Sequence, residues 1–281
     1  MTSLEIMHSE HLPRGRIRAA IFDFDGTIST LRCGWEKVMR AMMLEYISGQ
    51  AEPTDTLKKI VDQYIDASTG IQTVYQMKWL AEEVEKAGFS HAERDLWWYK
   101  EEYNRRLMAQ IRQRLRALEK GQEDSENYLI EGSVSFLKEL KKREIPVYLA
   151  SGTDHEDVVH EATVLGVAEW FTKIKGAPRR EMSCSKEAVI KMLLEENGLP
   201  GDSLLLVGDG KVEIALGAEC GAYTIGAATN EIARRGVNAA KRERLIKAGA
   251  DVIVGDFRDL ETILSWLGLA EGEKNACHDW K

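Results

Sequence analysis

Two carboxylates two residues apart, Asp23 and Asp25, close the apolar run Ala19-Ala20-Ile21-Phe22 and are followed by Gly26-Thr27. A β-strand directs residues i and i+2 to the same side. A buried strand over 17–25 therefore points both carboxylates into one small volume at its carboxyl end, the edge of an open α/β sheet where ligands bind. Like charges this close repel, which calls for a bound cation or a shared proton. Three further groups stand just past an apolar run or at a helix start: Ser151-Gly152-Thr153 after Val147-Tyr148-Leu149-Ala150, Lys186 in Ser185-Lys186-Glu187, and Asp209 in Gly208-Asp209-Gly210, with Glu213 four residues on. All strand carboxyl ends of a parallel sheet share one edge, so groups far apart in the chain can converge there. Asp23, Asp209 and the backbone near Asp25 offer hard oxygen ligands suited to Mg²⁺. Ser151 and Thr153 offer hydroxyls, the helix expected to open there offers free N–H groups for an anion, and Lys186 adds a positive charge. The set suits a phosphoryl group: one carboxylate can attack phosphorus, and a second can protonate the leaving oxygen and then deprotonate water.

The elements that must hold these groups follow from periodicity. After Thr27 the pattern turns helical and stays so for about 100 residues, with apolar positions spaced by threes and fours. One helix carries Trp35, Val38, Met39, Met42, Met43 and Tyr46; a second opens at Pro53-Thr54; a third runs from Ile71 to Val84 and stops at Gly88; a fourth runs from Leu96 to Leu118. From residue 130 strands alternate with helices, which predicts a parallel, doubly wound sheet. The expected organisation is an α/β core over 17–30 and 128–270, a helical insertion over 31–127, and flexible termini at 1–16 and 271–281.

Asp23-Phe24-Asp25-Gly26-Thr27, Ser151 behind an apolar strand, a later lysine and Gly208-Asp209-Gly210 resemble, in order, the four motifs of the haloacid dehalogenase superfamily. The resemblance covers about 17–27 and 130–257, and the insertion looks like the helical cap of the family's C1 class, which includes β-phosphoglucomutase and many small-molecule phosphatases. It implies a Rossmannoid core with Asp23 as nucleophile, Asp25 as acid and base, Ser151, Gly152 and Lys186 holding the phosphoryl group, and Mg²⁺ held by Asp23, Asp25 and Asp209. Lys175 is the alternative to Lys186. Glu213 stands where many relatives carry a second acid, often Asp, and its longer reach suits a role behind the metal ligands. Relatives that cleave carbon–halogen or phosphorus–carbon bonds lack the second Asp, so Asp25 points to phosphate esters. Related caps reach over the substrate with a polar loop, which makes Thr69, Gln72 and Thr73 candidate substrate contacts; Arg32 and Trp35 stand at the entrance.

The function expected is a Mg²⁺-dependent phosphatase of a small phosphorylated metabolite, a sugar or polyol phosphate, acting through an aspartyl-phosphate. A phosphomutase of the β-phosphoglucomutase type and a non-catalytic binding module are the alternatives. Composition narrows the rest. A net charge of −8 argues against a nucleic-acid surface. No run approaches the ~20 apolar residues of a membrane span. The four cysteines show no Cys-x-x-Cys spacing, which fits reduced thiols in the cytoplasm.

Overall fold

Unbroken burial marks the middle of the sheet: every residue of the strands Ala19–Phe22 (β2), Leu204–Gly208 (β5) and Tyr223–Ala227 (β6) is buried. Strands covered on both faces read as continuous apolar runs, and these do. The structure is a computed structural model describing residues 4–69, 71–89, 93–178, 187–188, 191, 195, 198 and 201–270. With Leu4–Ile6 (β1), Val147–Asp154 (β3), Lys173–Ala177 (β4) and Val252–Val254 (β7), the strands form one seven-stranded sheet in the order β1-β7-β6-β5-β2-β3-β4. Every pairing is parallel except β1 with β7. Among the described residues the core helices are Ser133–Lys142 (α5), His155–Val164 (α6), Lys211–Cys220 (α7), Ala239–Lys247 (α8) and Leu260–Trp266 (α9). The molecule is thus an α/β protein with a doubly wound, mostly parallel sheet and a helical insertion.

The sheet register fixes the site. Phe22 pairs with Leu149 on one side and with Val207 on the other. Strand order reverses at β2, so the crevice beyond its carboxyl end lies at a topological switch point. Asp23, Ser151 and Asp209 each fall just past these paired positions.

The insertion consists of Trp35–Ser48 (α1), Asp55–Ala67 (α2), Thr73–Lys86 (α3) and Leu96–Glu119 (α4). The side chains of Thr54 and Asp95 cap α2 and α4, accepting from Leu57 N at 3.2 Å and Trp98 N at 2.8 Å, which is why these helices start where they do. Met39, Met42, Met43, Met77 and Leu80 are fully buried between the helices, the use expected of methionine in an irregular core. The chain enters and leaves the insertion at one place: Ser29 bridges Leu129, Thr30 N donates to Tyr128 O at 2.8 Å and Ile130 N donates to Ile28 O at 2.9 Å.

Three expectations change. The first strand ends at Phe22, not at residue 25. Asp23 N still donates to Val207 O (2.9 Å), but Phe24 O accepts from both Ile28 N and Ser29 N at 2.9 Å, so a turn has begun. The helix expected after Ser151-Gly152-Thr153-Asp154 is present, with Asp154 in the N-cap position, but the strand before it is longer than the apolar run 147–150. Strand β3 runs on to Asp154 through a register shift after Ala150, because Thr153 N turns to Ser151 Oγ at 3.1 Å, and α6 begins at His155. Residues 4–6, expected in a flexible lead-in, form the antiparallel edge strand β1. Leu4 is buried, Glu5 pairs with Arg242, and His11 donates to or accepts from Asp251 at 2.8 Å while stacking on Tyr223. Two alternating apolar residues, Leu4 and Ile6, were too few to signal a strand.

Candidate active site

Asp23, Asp209 and Glu213 are all buried, and each brings a carboxylate oxygen within 4.8 Å of the others. Asp23 directly follows β2 and Asp209 directly follows β5. Glu213 comes from the first turn of α7, where its Oε1 accepts from Gly210 N at 2.8 Å. A backbone N–H thus fixes the side chain against its own helix start. Three buried carboxylates so close demand compensating positive charge. Part of it is Lys241, whose buried Nζ lies 2.5 Å from Asp209 Oδ2 and 2.5 Å from Glu231 Oε1. Burial opposes the ammonium charge, but the Asp209 and Glu231 carboxylates outweigh it and hold the lysine protonated above its ordinary range. Burial, with help from Asp209, raises the Glu231 carboxyl in spite of Lys241. An all-oxygen donor set suits a hard divalent cation, so these residues fit a metal of the Mg²⁺ kind.

Asp25 is turned away from this cluster. Its Oδ2 accepts from Thr153 Oγ1 at 2.8 Å, and its Oδ1 lies 3.9 Å from Arg32 Nε. The two carboxylates of the opening motif therefore sit in different surroundings, one among acids and the other between a hydroxyl and a guanidinium. The turn that follows requires a left-handed glycine, Gly26 at φ +78°. A Cβ there would lie 2.2 Å from Asp209 Oδ2 and 3.1 Å from Lys241 Nζ. Gly26→Ala is expected to lower the thermal midpoint by about 2–8 °C, from about 1–2 kcal/mol of left-handed strain at ~2–4 °C per kcal/mol. A scanning-calorimetry midpoint equal to wild type would refute the conformational requirement.

Above the cluster lies a cavity of about 110 Å³, well beyond the ~10–15 Å³ that a single water needs. Core and insertion both line it. Asp23, Asp25, Ser151, Gly152 and Asp209 face it from the sheet edge, and Thr69, Thr73, Gln76 and Lys100 from the insertion. Ser151 is buried and Gly152 meets the insertion directly: a Cβ on Gly152 would stand 3.7 Å from Ile71 O. Arg32 and Trp35 line the cavity as the sequence suggested. The Arg32 guanidinium is nevertheless committed to the core, with Nε 3.1 Å from both Glu161 carboxylate oxygens and a terminal nitrogen at 2.5 Å from Oε1. Burial works against its charge, and Glu161 and Asp25 more than restore it. Gln72 precedes α3 at the N-cap position, is buried and is not among the described residues lining the cavity, whereas Gln76 one turn later is. Lys186 lies outside the described residues. Lys175 sits within β4, paired with Ala150, and is not among the described residues lining the cavity.

Lys241, Glu231, Lys100 and Gln76 were not singled out in the sequence. A signal existed for Lys241: Asn238 caps α8 by accepting from Lys241 N at 3.1 Å, and an Asn before Ala239-Ala240-Lys241 is a helix-start pattern. Lys100 and Asn104 both reach Asp154, at 2.5 and 3.3 Å, and so join α4 to the end of β3. Their i, i+4 spacing carried no hint that the partner lay in the core.

The family model for haloacid dehalogenase-like hydrolases matches residues 17–221. No curated protein matches the chain. Among solved structures, it is similar to one described as a predicted phosphoglycolate phosphatase from Haemophilus somnus 129pt, at TM-score 0.60 and 16% identity over 88% of this chain and 98% of that one. It is also similar to a β-phosphoglucomutase from Clostridium difficile, at TM-score 0.61 and 16% identity over 89% and 97%. A hydrolase from Pseudomonas syringae aligns at TM-score 0.58 and 19% identity over 88% and 98%. At these identities the structural likeness concerns the fold. The chain belongs to the haloacid dehalogenase-like hydrolases, and the four-helix insertion agrees with a C1-type cap. No helix among the described residues is long and apolar enough to cross a membrane.

Proposed function

We propose that the protein is a Mg²⁺-dependent phosphatase acting on a small phosphate monoester, of the sugar or polyol class, through an aspartyl-phosphate on Asp23. The observation that carries this reading is the division of labour between two neighbouring carboxylates, Asp23 inside the acidic cluster and Asp25 outside it on Thr153. In this reading 31–127 acts as the cap and 17–30 with 128–270 as the core. Asp23, Asp209 and the backbone of Asp25 would hold the metal, with Glu213 beside them; the ion would neutralise charge on the phosphoryl group.

Ser151 and Gly152 bind the phosphoryl oxygens from the neighbouring strand end, and Lys186 is assigned a share of that charge from its sequence position. A carboxylate oxygen of Asp23 bonds to phosphorus as the ester oxygen leaves with a proton from Asp25. Asp25, now a carboxylate, takes a proton from water as the water oxygen bonds to phosphorus. The bond to Asp23 then breaks, and inorganic phosphate and the free Asp23 carboxylate result. Thr153, donating to Asp25 Oδ2, aims that carboxyl throughout.

The test is phosphate release from a panel of esters in Mg²⁺ and in EDTA. Release from at least one ester is expected in Mg²⁺, with a loss of about 10²-fold or more in EDTA. No Mg²⁺-dependent release from any ester, with no labelling of Asp23 by beryllofluoride, would leave the binding-module alternative standing. Isomer formation from a sugar phosphate without net phosphate release would instead identify a mutase.

A further inference from the structure

Helix α4 turns one face to the cavity: Lys100, Tyr103, Asn104 and Leu107, the i, i+3, i+4 and i+7 positions. The nitrogens of Lys100 and Asn104 are engaged by Asp154 in the core, and Leu107 is apolar. Tyr103 differs from all three. It is 4% exposed, and among the described residues no group exchanges a hydrogen bond with its hydroxyl. Tyr103 lines the cavity. A buried phenol ordinarily finds a partner, and an unmet one is costly.

Position says which half of a substrate that partner belongs to. Asp23, Ser151 and Asp209 claim the phosphoryl side from the sheet edge. Tyr103 enters from the insertion, near Asp25 and Arg32, where the alcohol departs. Burial drives the phenol pKa well above its ordinary value; Arg32 opposes the rise, and Glu36 and Asp25 add to it. The group therefore stays a neutral hydroxyl, able to donate and accept, and does not serve as a base.

We propose that Tyr103 selects the substrate: its hydroxyl hydrogen-bonds a hydroxyl on the alcohol half of the phosphate ester, so the site favours polyhydroxylated esters over alkyl esters of the same length. This rests on the phosphatase reading. Sites built to hydrogen-bond a substrate hydroxyl discriminate strongly against the analogue lacking it, because the protein group is then left unpaired.

The experiment uses matched pairs, glycerol 3-phosphate with propyl phosphate and sorbitol 6-phosphate with hexyl phosphate. Affinities are measured by calorimetry with Mg²⁺ on full-length Asp23→Asn, with and without Tyr103→Phe, and both proteins are checked by thermal melting. At least one hydroxylated ester should bind tenfold or more tighter than its alkyl partner, and Tyr103→Phe should shrink that ratio about tenfold. A ratio near one, or a ratio that Tyr103→Phe leaves unchanged, overturns the proposal. Wild-type turnover is measured separately. Selectivity that depends on Tyr103 without phosphate release would count against the phosphatase reading and leave the contact standing.

Discussion

Asp23→Asn should cut phosphate release by about 10³–10⁶-fold, the range seen when a nucleophile is removed from a catalytic unit. The amide keeps the shape of the side chain but is a far poorer nucleophile towards phosphorus. The substitution also makes a second, opposite demand. Asp23 sits with Asp209 and Glu213 in a cluster whose oxygens lie within 4.8 Å of one another, so neutralising one of three crowded carboxylates relieves repulsion. The backbone bond from residue 23 N to Val207 O is untouched by the change. In EDTA the variant should therefore melt at or above the wild-type temperature while releasing almost no phosphate. Wild-type turnover in Asp23→Asn would remove the nucleophile assignment. A lower melting temperature in EDTA would show that the carboxylate is wanted for folding.

Arg32→Met should be the most damaging change to stability outside the central strands. It strips the partner from Glu161, whose side chain is almost wholly buried at 1% exposure, and Asp157 loses a guanidinium nitrogen at 3.8 Å. Breaking a buried pair from one side costs about 3–5 kcal/mol, whereas replacing both members by apolar groups is often close to neutral. At ~2–4 °C per kcal/mol for a chain of this size, the single variant should melt about 6–20 °C below wild type. Arg32→Met with Glu161→Leu should recover most of that loss. A single-variant fall below about 2 °C, or a double variant no better than the single, would refute the account. The double variant also isolates the effect of Arg32 on Asp25, whose Oδ1 lies 3.9 Å from the guanidinium. Its pH–rate profile should differ from wild type although most of the stability is restored.

The sequence was most legible where a signal was local and repeated. Apolar runs ending in Asp23, Ser151 and Asp209 marked three adjacent strands, and threes-and-fours periodicity marked α1 to α4 to within a few residues. It was least legible where a partner came from a distant element. Arg32 was placed at the entrance because Arg32 follows the first motif; that its guanidinium belongs to Glu161 depends on α6 packing beside the loop. Lys241 meets Asp209 and Glu231 only because α8 and the loop before it fold back across the sheet edge. Ser151-Gly152-Thr153-Asp154 reads as a helix start, and the helix does begin at His155; the hydroxyls also suit a cap. Inside the protein, the same hydroxyls bend a strand instead, with Ser151 Oγ taking Thr153 N and Thr153 Oγ1 reaching Asp25.

The paired exit and return of the insertion has a consequence for how such a chain diversifies. Ser29 and Leu129 are bridge partners, so the core backbone there is about 5 Å from closing on itself. Whatever is spliced between those points imposes no stretch on the sheet and shifts none of its strand registers. Segments of very different length are tolerable at that position, and the residues at the strand ends keep their places. On the proposed reading, substitutions at Tyr103 and its neighbours on α4 would change the molecules admitted while leaving Asp23 and Asp25 in place.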